Sequence, residues 1–323
     1  MNQYTPPFKI TPRILNLCMQ IAALTGRFEG LYLPNPKIEL RKENQIKTIH
    51  GTVAIEGNTL TIEQITAIIE GRRVMGTEKE INEVKNAINV YNEIKTFNPY
   101  SIQDFCKAHK ILMNGILPDA GKFRTESVGI LKRDKVGHIG PPARLVPTHI
   151  ENLFSFLKNN KEYHPLVKAA VFRYELEFIH PFSDGNGRIG RLWEHTILID
   201  WHPLFEMVSI ESIVKRNQQD YYTALGKSDK KGSSEDFIEF NLGAILNALT
   251  EFFMEFKAEP VTTETRLKIA KEKLGNRSFT RAEYLRLFKV ISTATASRDL
   301  KFGVETGQLE RVGDKRNASY LFR

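Results

Sequence analysis

Apolar residues recur along most of the chain at the three-and-four spacing of amphipathic helices. Thr77-Glu78-Lys79-Glu80 has the form of a capping box, in which the threonine hydroxyl and the glutamate satisfy first-turn N–H groups. Ile81, Val84, Ile88, Tyr91 and Ile94 follow it at helical spacing. Ser101-Ile102-Gln103-Asp104 is a similar start, followed by Phe105, Leu112 and Ile116. Between Leu166 and Ile179, one face carries Val167, Ala170, Val171, Tyr174 and Phe178. Arg188 to Trp201 contains Ile189, Leu192, Trp193, Ile197 and Leu198, which predicts a buried central helix.

Two regions break this pattern. Ser127-Val128-Gly129-Ile130-Leu131 and His138-Ile139-Gly140 flank the polar stretch Arg133 to Gly137, which predicts a short β-hairpin. Pro141-Pro142 would end it, because proline cannot donate to a strand ladder. A domain boundary is expected near 257–264, where Lys257-Ala258-Glu259-Pro260 closes a long helical pattern. Beyond it the spacing predicts helices at about 264–274, 280–288 and 292–303. Leu309 to Gly313 and Ala318 to Phe322 then read as two strands around a turn. Three helices and a terminal hairpin resemble a winged helix-turn-helix.

Composition narrows the class. A chain of 323 residues suits two or three domains of roughly 100–200 residues each. Hydrophobic residues at 41% and charged residues at 26% are ordinary for a globular protein. No stretch reads as a membrane span, and Met1 to Pro7 does not read as a secretory leader. With Cys18 and Cys106 the only cysteines, a disulfide framework is not supported, and a cytoplasmic setting without membrane association is expected. The net charge of +8 is uneven. Residues 262–323 hold 14 Lys and Arg against 7 Asp and Glu, while the remainder holds 32 against 31. That asymmetry points to a separate C-terminal module with a polyanionic partner.

Candidate chemistry concentrates in His180-Pro181-Phe182-Ser183-Asp184-Gly185-Asn186-Gly187-Arg188-Ile189-Gly190-Arg191, a loop entering a helix. Gly185 and Gly187 let backbone N–H groups approach a ligand with no Cβ in the way. The following helix start offers free N–H groups and a positive dipole end, which suit phosphate. Arg188 can pair with phosphate oxygens. His180 titrates near neutrality, as a general base should. Asp184 is a hard oxygen ligand of the kind Mg²⁺ takes beside phosphates. Each residue alone has an ordinary structural explanation; twelve residues holding all of them do not. The chain contains no P-loop and no His-Glu-x-x-His pair, so nucleotide handling rests on this loop.

This stretch resembles the signature of the Fic family, His-x-Phe-x-Asp/Glu-Gly-Asn-Gly-Arg-x-x-Arg, matched at all eight specified positions. The resemblance implies a mainly α fold: a Fic helical core with a β-hairpin flap, here followed by the winged helix. It covers roughly residues 40–255. The expected division is 1–100 for an N-terminal helical region, 101–257 for the catalytic core and 262–323 for the winged helix. The implied activity is transfer of AMP from ATP to a Ser, Thr or Tyr hydroxyl of a target protein, including itself. His180 would be the catalytic base, and Asp184 would hold Mg²⁺. Gly185, Asn186 and Gly187 would cradle the phosphates. Arg188 would neutralise charge at the leaving end, and Phe182 would anchor the loop in the core. The flap residues Val128, Gly129, Ile130 and Leu131 would clamp the target main chain by strand addition.

Thr52-Val53-Ala54-Ile55-Glu56-Gly57-Asn58 resembles the family's inhibitory motif, Ser/Thr-x-x-x-Glu-Gly/Asn, placed here in a helix near 46–58. The resemblance implies that Glu56 pairs with Arg191 and blocks the γ-phosphate position. In the winged helix, two readings stay open: Arg298, Lys301, Arg311, Lys315 and Arg316 contact DNA phosphates and groove edges, or the module is a protein-docking or dimer-forming unit whose basic face is merely solvated. Two alternatives stay open: a nucleotide-sensing DNA-binding regulator, or an enzyme of the family that removes AMP or uses another phosphate donor. Assembly as a homodimer is also open.

Overall fold

The computed structural model describes residues 4–30, 38–127, 129–132, 135–256, 262–288, 291–313 and 318–323. Two compact units emerge, one of residues 1–23 with 37–253, the other of residues 24–36 with 254–323. The expected boundary at 257–264 lies partly outside the described residues.

Helices α1 (Pro12–Gly30), α2 (Ile38–Ile55), α3 (Ile62–Ile69), α4 (Glu78–Asn92) and α5 (Ile102–Leu112) open the chain. Both expected helix starts are present. Thr77 and Glu80 form the reciprocal capping box of α4, and the Ser101 hydroxyl accepts from the Asp104 N–H. Helix α5 stops at Leu112, so Ile116 falls beyond it. The hairpin of β1 (Gly129–Lys132) and β2 (Lys135–Ile139) pairs antiparallel, with a register shift between Ile130 and Leu131. Its second strand begins at Lys135, so most of the stretch read as a turn is strand. Val128, Arg133 and Asp134 lie outside the described residues.

Next come α6 (Val146–Asn159), α7 (Pro165–Ile179), α8 (Asn186–Trp201), α9 (Ile210–Arg216), α10 (Gln218–Lys231) and α11 (Glu235–Glu255). Helices α7 and α8 pack together at the centre of the unit. Ile189, Leu192, Trp193, Ile197 and Leu198 of α8 are all buried, as their pattern predicts. Helix α7 is buried around most of its circumference rather than along one face. Phe178, read from the sequence as part of its apolar face, is instead 39% exposed. Helix α11 is long and apolar enough, by length and composition, to cross a bilayer, whereas no such stretch is expected from the sequence. Half of that stretch is buried, with Phe237, Ile238, Leu242, Ile245 and Leu249 inside, so burial accounts for its apolar character.

Helix α2 lies against α9, and Gly51 permits this. A Cβ there would come within 2.7–2.9 Å of the Glu211 and Ser212 backbone. The approach fixes the end of α2 relative to the central pair.

The second unit contains α12 (Thr263–Leu274), β3 (Phe279–Thr280), α13 (Arg281–Leu287), α14 (Thr293–Glu305), β4 (Leu309–Val312) and β5 (Ser319–Phe322). The sheet order is β3-β5-β4 and both pairings are antiparallel. The unit thus holds three helices and a small sheet, at the positions where the sequence predicts three helices and a terminal pair of strands. Leu267, Ala270, Phe279, Tyr284, Leu300 and Phe322 form its core. Asp299 is buried between helices and receives Arg266 at 2.6 Å, Thr263 at 2.8 Å and Tyr284 at 3.2 Å. Burial opposes its charge, but these bonds hold the carboxyl below the usual aspartate range.

Candidate active site

The loop between α7 and α8 is shaped by residues outside it. His180 caps α7 with φ 49° and ψ 63°, and it is the sole non-glycine with positive φ among the described residues. That left-handed conformation costs about 1–2 kcal/mol for an ordinary residue. Arg124 offsets the strain. Its Nε donates to the His180 carbonyl at 2.7 Å, and its Nη2 to the Ile179 and Pro141 carbonyls at 3.2 and 2.6 Å. Its Nη1 donates to the Glu126 carbonyl at 2.7 Å. A single buried arginine therefore joins both feet of the hairpin to the backbone of the candidate base.

Phe182 is fully buried and stacks on His109, with ring centroids 3.6 Å apart and planes 5° apart. The Gly121 N–H donates to His109 Nδ1 at 2.9 Å, so the ring proton sits on Nε2 and donates to the Asp184 carbonyl at 2.9 Å. Burial pushes the His109 pKa down to about 4. The folded value thus lies below the unfolded value of about 6.5, so stability from the neutral ring is complete above pH 6.5 and falls toward pH 4. The slope is at most about 1.4 kcal/mol per pH unit. Wild type is expected to lose melting temperature over that window more steeply than His109→Gln, measured by thermal melts at pH 7, 5.5 and 4. Equal slopes would refute the assignment.

Asn186 closes the loop from the other side. Its Oδ1 accepts from the Phe182 N–H at 2.9 Å and its Nδ2 donates to the Phe182 carbonyl at 2.8 Å. Both ends of an amide read from the sequence as a phosphate contact thus bind Phe182. Asp184 keeps a side chain 56% exposed, with Oδ1 taking the Gly185 N–H at 2.6 Å. Gly187 is the second residue of α8, in its first turn.

The two motif arginines have different surroundings. Arg188 is only 5% exposed, and its Nη1 donates to Glu83 Oε1 at 3.1 Å, with Nη2 3.4 Å from Asp184 Oδ2. Arg191 is 4% exposed and is engaged by the end of α2. Its Nε donates to the Thr52 hydroxyl at 3.0 Å, and its Nη2 to the Thr52 carbonyl at 2.9 Å and to Glu56 Oε1 at 2.7 Å. The Glu56 carboxylate lies so close to Gly187 that a Cβ there would overlap it.

His180, Asp184, Gly185, Asn186, Gly187, Arg191 and Glu56 line one cleft of about 230 Å³. The Glu56 carboxylate takes up part of this cleft, lying against Gly187 and Arg191. Phe178 and the 43% exposed Tyr222 also line it. Behind them Glu177 accepts from Arg173 at 2.7 Å and Tyr221 at 3.1 Å. Burial opposes the Glu177 charge, but Arg173 prevails and holds its carboxyl below the usual range.

A loop entering a central helix, with a histidine at its head and two buried arginines on the helix that follows, defines a mainly helical protein with a polar cleft at that helix start. The Fic/DOC family profile matches residues 99–198. A Fic family protein of Desulfovibrio desulfuricans G20, known from its crystal structure, is 35% identical, with 99% of this chain and 98% of that one superposed at a TM-score of 0.75. Fic-1 of C. elegans shares the fold at 23% identity and a TM-score of 0.61, over 75% of this chain and 72% of that one. A protein adenylyltransferase Fic from Aedes aegypti is 30% identical over 213 residues, 62% of this chain and 40% of its own length. The chain therefore spans less than half the length of such relatives. It belongs to the Fic family.

Proposed function

We propose that the chain is a protein adenylyltransferase whose activity is held down by Glu56. The observation that carries this reading is the shared cleft of His180, the Gly185–Gly187 backbone and Arg191, with the Glu56 carboxylate paired to Arg191 and lying against Gly187. In the reaction, the oxygen of a Ser, Thr or Tyr hydroxyl attacks the α-phosphorus of ATP. The bond from that phosphorus to the α,β-bridging oxygen breaks, and pyrophosphate leaves. His180 takes the hydroxyl proton. Backbone N–H groups at the α8 start and the Arg191 guanidinium stabilise the negative charge on the phosphates, and positioning with such stabilisation is what these transfers chiefly require.

Asp184 fits a role in holding Mg²⁺. Its side chain reaches the cleft with one oxygen 3.4 Å from the nearest guanidinium, and the described residues contain no group of three His, Cys, Asp or Glu suited to a metal. Mg²⁺ commonly takes one or two carboxylates and completes its shell with substrate phosphates and water. When bound, it would supply charge neutralisation at the phosphates.

The reading is tested with α-labelled and γ-labelled ATP, using wild type and Glu56→Gly in a cell lysate. Protein-bound label from the α position alone supports AMP transfer. Label from the γ position alone would replace it with phosphoryl transfer, and no label from either would reject it.

We further propose that the C-terminal unit binds double-stranded DNA through α14. That helix exposes Thr293 and Ala294 at its start, short side chains that admit a base edge, and Arg298 and Lys301 farther along. Arg311 is exposed on β4, while Lys315 and Arg316 lie outside the described residues. With three to four phosphate contacts, the full chain is expected to lose roughly 40- to 150-fold in affinity between 50 and 200 mM salt. Fluorescence anisotropy with a duplex measures this. No binding at the lower salt would leave docking of a protein as the better account.

A further inference from the structure

Glu56 stands one residue past the end of α2, in the turn that leads to Asn58. The regular ladder of the helix no longer holds it. Its turn keeps three backbone bonds, from the Glu56, Gly57 and Asn58 N–H groups, at 3.1–3.2 Å. Two sets of side chains grip the turn from either flank. On one flank, Lys215 Nζ donates to the Ala54 carbonyl at 2.7 Å and Gln218 Nε2 to the Ile55 carbonyl at 2.9 Å. On the other stands Asn58, only 7% exposed. Its Nδ2 donates to Glu83 Oε2 at 2.9 Å and to the Glu80 carbonyl at 3.1 Å, and its Oδ1 accepts from the Leu60 N–H at 3.1 Å.

Glu83 is the notable partner, because its second oxygen receives Arg188 at 3.1 Å. One buried carboxylate thus spans the inhibitory turn and the first arginine of the motif. The residues it joins, Asn58 and Arg188, are 130 positions apart in the chain, and Glu83 comes from a third element, α4. Charge-assisted bonds of this kind are strong where water is excluded.

We propose that Asn58 and Glu83 are positioning residues for inhibition: a tether by which the phosphate-binding motif itself holds the inhibitory turn in register. This rests on reading Glu56 as the inhibitory residue. Neither tether residue touches Arg191; they act by keeping the Glu56 carboxylate against Gly187. A misplacement of about 1 Å at such a contact changes rates by roughly 100-fold. The tether also makes inhibition sensitive to the cleft. Arg188 cannot move toward a phosphate without loosening Glu83, and by linkage a loosened turn favours the ligand that draws Arg188.

The test uses five proteins, each with the whole chain of 323 residues: wild type, Asn58→Ala, Glu56→Gly, the double variant and Glu83→Gln. Loss of one charge-assisted bond corresponds to roughly 10- to 100-fold. Asn58→Ala is therefore expected to raise transfer from α-labelled ATP by up to that factor, without exceeding Glu56→Gly. In the Glu56→Gly background it is expected to change transfer by less than about twofold, because its effect runs through Glu56. General structural damage would instead lower transfer in both backgrounds, which would overturn the proposal. Amide hydrogen exchange at residues 52–60 is expected to quicken in Asn58→Ala while the start of α2 stays protected. Glu83→Gln removes the charge at nearly constant shape and is expected to activate wild type in the same direction; it carries the test if Asn58→Ala melts early. If Glu56→Gly is activated and both tether variants are silent, the tether is wrong and inhibition by Glu56 stands. If Glu56→Gly is no faster than wild type, both fall together.

Discussion

Glu56→Gly is expected to transfer AMP about 100-fold faster than wild type, on itself or on lysate proteins, because so small a carboxylate decides where a phosphate can lie. The physical case begins at the end of α2. A carboxylate near a helix C-terminus meets the negative end of the dipole and is locally unfavourable by about 0.3–1 kcal/mol. Glu56 keeps that position because Arg191 lies 2.7 Å away, and the same contact lays it over the Gly187 backbone. Removing the carboxylate leaves Arg191 with two bonds to Thr52, so the buried guanidinium is not stranded. The Glu56 side chain is 34% exposed and Arg191 keeps its two bonds to Thr52, which limits the cost of taking the counter-charge from a buried guanidinium. Activity should therefore rise with little change in melting temperature. That pairing of outcomes matters: a gain in rate accompanied by a large loss of stability would point to general loosening. A rate equal to wild type, measured by label incorporation, would show that Thr52 to Asn58 is a helix end and no more.

The split between what the sequence disclosed and what it concealed follows the range of each interaction. The capping box at Thr77, the start at Ser101 and the buried stripe of α8 are local patterns, and each appears where its spacing places it. The loop of His180 to Arg191 carries its candidate chemistry in consecutive residues, so those residues could be picked out directly. Arg124, His109 and Glu83 had no such signal. Arg124 reaches the His180 carbonyl across 56 positions, His109 reaches Asp184 across 75, and Glu83 meets Arg188 across 105. In the sequence Glu83 is one acid among several on α4, indistinguishable from a solvated face. Asn186 and Arg188 show the complementary effect. Their residue types suit phosphate, yet the fold gives the Asn186 amide to Phe182 and the Arg188 guanidinium to Glu83. Phe178 matched the apolar spacing of α7, but that helix is surrounded on most sides, and the position left over opens on the cleft.

Removing the imidazole of His180 is expected to lower transfer by about 10²- to 10⁴-fold, the usual range for loss of a general base. The measurement belongs in the Glu56→Gly background, where the starting rate is high enough to resolve the loss. Choice of substitution matters because of the backbone. His180 sits at φ 49°, and alanine there would carry the left-handed strain without the tolerance that asparagine has. His180→Asn keeps that conformation accessible, is close in size and cannot act as a base near neutral pH. His180→Ala serves as the second variant. Nucleotide binding should persist in both, since the N–H groups of the α8 start, Asp184 and Arg191 do not depend on the imidazole. Arg124 holds the His180 carbonyl rather than its ring, so the loop should keep its course. The expected result is a variant that binds ATP, melts near the parent temperature and fails to label protein. Full labelling by His180→Asn in the Glu56→Gly background would remove His180 from the chemistry. Loss of both labelling and ATP binding would instead assign it to the architecture of the cradle.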